Sequence, residues 1–166
     1  MLSSLLVCGN TRNMLSSKAP RVDSKILDRE ATMEQTVIKV TQEVVRRIAG
    51  FETSSTLEPP VDRIYQMVSR VHEKYRAQLD QSVNMLALSD VATTTASFER
   101  VLDSMFVGGQ INCGRVVSVL AFAGCVAQHC VDNQVTVSAD DVDRLAEVMG
   151  RQLATRLVRC RYSLVT

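Results

Sequence analysis

Gly109-Gln110-Ile111-Asn112-Cys113-Gly114-Arg115, followed by the apolar run from Val116 to Val131, decides how the rest of the chain is arranged. Between Val116 and Ala127 the only polar side chain is Ser118. A helix apolar on nearly every face has to be enclosed by other elements rather than laid on a surface. At roughly 16 residues the run falls short of the ~20 that cross a bilayer, so the reading predicts a buried central helix. Ala121, Ala123, Gly124 and Ala127 are small enough to let neighbouring helices come close. Asn112 suits the capping position, which leaves Gly114 and Arg115 in the first turn. A cation there opposes the helix dipole, so something outside the helix is expected to balance it.

Working outward, 166 residues fit one domain with room for a core. Hydrophobic residues make up 46% but aromatics only 4%, with no Trp, so Val, Leu, Ala and Met must fill the interior. A net charge of +1 gives no reason to expect nucleic acid as a partner. Five scattered cysteines, Cys8, Cys113, Cys125, Cys130 and Cys160, show no C-x-x-C spacing. Buried thiols in a reducing compartment are preferred over a disulfide framework. Cys8 is the one placed for an intermolecular bond, which leaves a homodimer open.

Residues 1–30 show no sustained period and are read as a flexible tail. Arg12, Lys18, Arg21 and several serines, with no acid before Asp23, faintly match a mitochondrial transit composition; an unstructured extension is preferred. The domain proper is placed at 31–166. Its first helix is predicted to open at the Thr32-Met33-Glu34-Gln35 capping pattern, to carry the stripe Val37, Val40, Val44 and Ile48, and to stop at Gly50. A second helix begins near Pro60, proline being tolerated in a first turn. Its stripe is Ile64, Val68, Val71, Tyr75 and Leu79; its other face carries Asp62, Arg63, Arg70, Glu73, Lys74 and Arg76. Met85 to Val91 reads as a single turn, and Thr93-Thr94-Thr95 as the hydroxyl-rich start of a helix bearing Phe98, Val101, Leu102 and Met105. Gly108-Gly109 end that helix. After the central helix, Ser138 caps a last one with stripe Val142, Leu145, Met149, Leu153 and Leu157, and Asp140 and Asp141 at its favourable end. The predicted fold class is all-α: a helical bundle with a central apolar helix surrounded by amphipathic helices.

The run Phe106-Val-Gly-Gly-Gln-Ile-Asn-Cys-Gly-Arg-Val-Val-Ser-Val-Leu-Ala-Phe-Ala-Gly resembles the first homology region of the Bcl-2 family of apoptosis regulators: a Phe, a Gly, then Asn-Trp-Gly-Arg and an apolar helix. Val126-Ala-Gln-His129 resembles the continuation in the family's myeloid-cell-leukaemia branch. Tyr75-Arg76, Ser97-Phe98-Glu99 and Leu157-Val158 fall at compatible intervals, so the likeness runs from about Val37 to Tyr162. It implies a Bcl-2-like helical bundle. Three departures stand out. Cys113 replaces the Trp. The third homology region's Leu-x-x-x-Gly-Asp becomes Ile64-Tyr-Gln-Met-Val68-Ser69, losing both Gly and Asp. Arg161-Tyr162-Ser163 stands where the second region usually ends in Gly-Trp. A chain that keeps the Arg and lacks the Asp looks built to receive a death helix rather than to donate one.

By this resemblance, a groove between the second helix, the Phe98–Phe106 helix and the start of the central helix binds the amphipathic BH3 helices of pro-apoptotic proteins. Its walls and floor would be Val71, Tyr75, Leu79, Val101, Met105, Val119 and Phe122. Asn112 and Gly114 would shape its mouth, and Arg115 would pair with the partner's Asp. The resemblance implies an inhibitor of apoptosis, cytoplasmic and associated with mitochondria. The compact sequence without a hydrophobic tail also suggests no integral membrane anchor and would suit a virus-encoded mimic. Two alternatives stay open: a membrane-permeabilising, pro-death effector of the same fold, and a helical adaptor without a groove. Arg115 could equally bridge to Asp103 or Glu99 within the chain. His72 and His129 have no partner ligands at metal spacing, and no phosphate loop or triad pattern argues for an enzyme or a cofactor.

Overall fold

The computed structural model describes residues 24–51 and 56–160. Those residues form five α-helices, α1 (Ser24–Ile48), α2 (Pro59–Asn84), α3 (Val91–Met105), α4 (Cys113–Asp132) and α5 (Ala139–Arg159), with a 3-10 turn at Val107–Gly109 before α4. The expected tail lies outside them as far as residue 23, with its Cys8 and transit-like composition, and so does the Arg161-Tyr162-Ser163 segment.

The helix ends follow capping chemistry. Gly50, at φ +82°, closes α1, and the Phe51 N–H returns to the Arg46 carbonyl at 2.9 Å. Asn112 caps α4, its Oδ1 accepting from the Arg115 N–H at 2.9 Å. Ser138 caps α5 in a reciprocal box with Asp141. Two starts differ from the sequence reading. Helix α1 opens at Ser24 rather than Thr32, so residues 24–30 are helical rather than tail. The Thr32 hydroxyl donates back to the Asp28 carbonyl at 2.8 Å, as mid-helix threonines do. Residues 24–32 are all exposed, so no buried stripe announces them, yet Leu, Arg, Glu and Ala extend an existing helix at little cost. Helix α3 is capped by Asp90 instead of a threonine: Thr93 is the third residue of the helix and answers Asp90 in a capping box. Met85 to Asp90 is a connection without a helical turn of its own.

Helix α4 sits at the centre. Twelve of its residues are buried, including Val116, Val117 and the whole stretch from Val119 to Ala127. It runs 20 residues, longer than the apolar run suggested, because Cys113 to Arg115 and Asp132 complete its end turns. By length and composition alone it could span a membrane, but here its faces pack against the other four helices. Close approach depends on two glycines. A Cβ on Gly124 would lie 2.4 Å from Ile48 Cδ1 of α1, and one on Gly150 of α5 would lie 2.9 Å from the Ile38 Cα. Arg46 of α1 and Asp143 of α5 add a two-pronged ion pair along that contact, which holds the guanidinium charged more firmly than usual.

The four outer helices surround α4 in the order α2, α1, α5, α3. Helix α2 packs on α1, α1 on α5 and α5 on α3, but α2 and α3 barely touch each other. The ring is therefore closed on three sides and open on the fourth.

Candidate functional site

Helix α4 packs against both α2 and α3, so it lies beneath the open side of the ring. The α2 residues assigned to the groove by the sequence recur at four-residue spacing. Val71 is half-buried and Tyr75 is 42% exposed. Met67, which the sequence reading did not select, extends the stripe by one turn and is 37% exposed. Its position four residues before Val71 was the available signal. At Tyr75 the backbone leaves helical geometry, with φ −114° and ψ 18°. Helix α2 is thus two segments joined at a kink in the middle of the wall. Leu79 lies beyond the kink, half-buried.

On the opposite wall Val101 and Met105 of α3 are half-buried. The floor is more closed than expected. Val119 and Phe122 of α4 are 1% and 7% exposed, so they are core residues underneath rather than open surface. The Phe122 ring stacks on Phe98 of α3, with centroids 6.5 Å apart and planes 10° from parallel. That stack ties α3 to the floor and, with the buried Leu102, fixes the wall's height. Of the apolar residues assigned to the groove, Val71, Tyr75, Leu79, Val101 and Met105 retain accessible surface, and Val119 and Phe122 support them.

At the mouth, Asn112 and Gly114 are exposed and Arg115 is half-exposed. Besides the cap bond to its own N–H, Arg115 donates from Nη1 to the Gln110 carbonyl at 2.8 Å. No carboxylate among the described residues lies within ion-pair distance of it. The two acids that the sequence offered it are engaged elsewhere. Arg156 of α5, with only 17% of its side chain exposed, reaches Glu99 at 3.5 Å and Asp103 at 2.5 Å. The intramolecular alternative for Arg115 is thereby overturned. Glu99 and Asp103 are four residues apart on the α5 side of α3, one turn above the other, and so face away from α4's first turn.

The thiols divide by depth. Cys113 is exposed at the mouth, and Cys125 and Cys130 are buried. Burial pushes the Cys125 thiol up to about 12, so it stays protonated at neutral pH. Cys130 is raised for the same reason. A cleft of about 470 Å³ lies elsewhere, between the exposed start of α1 (Leu27, Glu30, Ala31, Glu34) and the end of α5 (Ala154, Thr155, Val158, Arg159). It involves none of the predicted site residues.

Residues 64–160 match the family described as apoptosis regulator proteins, Bcl-2 family. Among solved structures, the zebrafish pro-survival protein NRZ in complex with the Bad BH3 is similar, with a TM-score of 0.68 at 15% identity over 82% of this chain and 97% of that one. The same zebrafish protein in its apo form is similar with a TM-score of 0.63 at 16% identity, over 80% and 93%. At such identities the likeness is one of fold. No curated protein matches the chain in sequence.

Proposed function

The chain belongs to the Bcl-2 family of apoptosis regulators, more than half of its length matching that family, and on this premise we propose that it restrains apoptosis by sequestering the BH3 helix of pro-apoptotic partners. The α2–α3 seam would receive the helix. Helix-in-groove binding, of which BH3 helices are an established instance, needs an apolar trough with anchors at helical spacing. Met67, Val71 and Tyr75 on one side and Val101 and Met105 on the other, apolar and partly exposed, would supply such a trough.

The observation that carries this reading is the state of Arg115. Its charge sits at the head of a helix, where the dipole disfavours it, and no carboxylate of the described chain answers it. A partner's Asp would. Such a charge-assisted bond is the strong kind, and its one-sided loss costs about 2–5 kcal/mol. The fold likeness to a pro-survival protein crystallised with a BH3 supports the same assignment, as does the loss of Gly and Asp at Val68 and Ser69 from the chain's own third homology region. We place the protein in the cytoplasm, meeting its partners at the mitochondrial surface.

Titration of a fluorescent BH3 peptide tests the reading. Binding at or below micromolar concentration is expected, weakened about 30-fold or more by Arg115→Glu. Absence of binding, or indifference to that substitution, would overturn it. A second reading draws on the length of α4, which allows a membrane span and hence a permeabilising effector. Liposome leakage separates the two: a sequestering protein suppresses leakage induced by an effector, and a permeabiliser causes it unaided.

A further inference from the structure

We propose that the groove selects acidic partner helices: Arg63, Arg70 and Lys74 of α2, Arg100 of α3 and Arg115 of α4 form a cationic rim that reads carboxylates flanking the partner's apolar stripe. This rests on the BH3-binding reading above and adds to it the chemistry of the preferred occupant.

Placement carries the argument, because the chain as a whole is nearly neutral at +1. On α2, Arg63 lies four residues before Met67, Arg70 three after it, and Lys74 three after Val71. Residues at those separations share a side of a helix, so these cations border the apolar wall. Lys74 sits with Nζ 5.2 Å from the centre of the Tyr75 ring, on the wall itself. The acids of α2 follow a different line. Asp62, Ser69, Glu73, Arg76 and Asp80 succeed one another at helical spacing on another stripe, with Asp62 accepting from Gln66 at 2.8 Å and Asp80 facing Arg76 at 3.9 Å.

Helix α3 repeats the division. Glu99 and Asp103 point to α5 and are held by Arg156. Arg100 is turned the other way, donating to the hydroxyl of Ser97 at 3.2 Å, a residue that lies one turn before Val101 of the wall. Arg63, Arg70, Lys74 and Arg100 are exposed, and among the described residues none of the five rim cations has a carboxylate within ion-pair distance. On both helices the cations therefore lie nearer the seam than the acids do, Glu73, one turn from Arg70, standing on the outer side of the rim. A partner helix with carboxylates beside its anchors would meet one sign of charge along its length, which raises association rate and suppresses neutral or basic competitors. The cations border a trough between two helices rather than cover a flat face, which favours a helical occupant over an anionic membrane.

Two labelled peptides with identical anchors and central Asp, differing only in three flanking positions as Glu or Gln, provide the test. At about 50 mM salt the Glu peptide should bind roughly 5- to 30-fold more tightly, and the advantage should shrink as salt approaches about 0.5 M. In the Arg63→Gln/Arg70→Gln/Lys74→Gln variant the ratio of the two affinities should fall below about twofold. These side chains are exposed, and circular dichroism verifies that the variant folds. Equal binding of the two peptides, or an unchanged advantage in the variant, would overturn the rim alone. Failure of both peptides to bind would remove the groove reading and the rim with it. Anionic phosphatidylserine vesicles that bind the native protein but not the variant, with the peptide preference intact, would assign the cations to a membrane and overturn the proposal.

Discussion

Two seams run along the surface of this bundle, and they are built differently. Helices α1 and α5 bury their apolar stripes completely, Val37, Val40 and Val44 of one and Met149, Leu153 and Leu157 of the other all being between 0% and 1% exposed, and they meet where Gly150 lies against Ile38 and Thr41. Gly150 lets the backbones approach until a Cβ would strike Ile38, and Arg46 and Asp143 close the edge. Between α2 and α3 contacts are few, and Met67, Val71 and Tyr75 of the one and Val101 and Met105 of the other stay partly in water. The same hydrophobic driving force has been used fully in the first seam and held back in the second. In the first seam it stabilises the fold, and in the second it remains available to another molecule.

Substitutions at matched depth would sharpen that contrast. Leu153→Ala, in the closed seam, should destabilise by about 2–5 kcal/mol, read from chemical denaturation, while the molecules that remain folded bind BH3 peptide with unchanged affinity. Gly150→Val should cost about 1–3 kcal/mol through backbone overpacking against Ile38, seen as a lower thermal midpoint; an unchanged midpoint would mean that the close approach is slack. Val101→Ala, across the open seam, should change stability by less than about 1 kcal/mol, because its side chain is already part-solvated, yet weaken peptide binding by several-fold. If it proves as destabilising as Leu153→Ala, the seam is closed in solution and the contrast fails.

The smallest effect concerns acid. Hydrogen bonds from Thr93 hold the Asp90 carboxyl below its ordinary range, and those from Ser138 and Val137 do so for Asp141. Both groups have folded values below their unfolded ones, so their stabilisation is complete above the unfolded value near pH 3.9 and is lost as pH falls through the folded value. Midpoints measured between pH 7 and pH 3 should therefore decline at the acid end, and Asp90→Asn should flatten that decline slightly without altering peptide binding.

How much of this was readable beforehand varied with the physics involved. The five helices, the enclosed α4 and the caps at Asn112 and Ser138 follow from local periodicity and side-chain chemistry, which operate within a few residues. The early start of α1 left no trace because its first turns bury nothing. The burial of Val119 and Phe122, and the exposure of Met67 beside them, depend on which helix neighbours which. One stripe cannot reveal whether its facing stripe arrives. Nor could the sequence decide the fate of Glu99 and Asp103, since Arg156 lies more than fifty residues away and competes with Arg115 only in three dimensions.

Helix α4 carries a last consequence. Its length and composition meet a bilayer's requirement, and wrapping by its neighbours separates that segment from lipid or from a second unfolded chain. Loosening the α1–α5 clasp should therefore change colloidal behaviour before it changes recognition: a warmed Gly150→Val sample would scatter light and adsorb to vesicles at temperatures where the native protein stays clear. A variant that loosens without doing either would show that α4 remains sheltered by α2 and α3 alone.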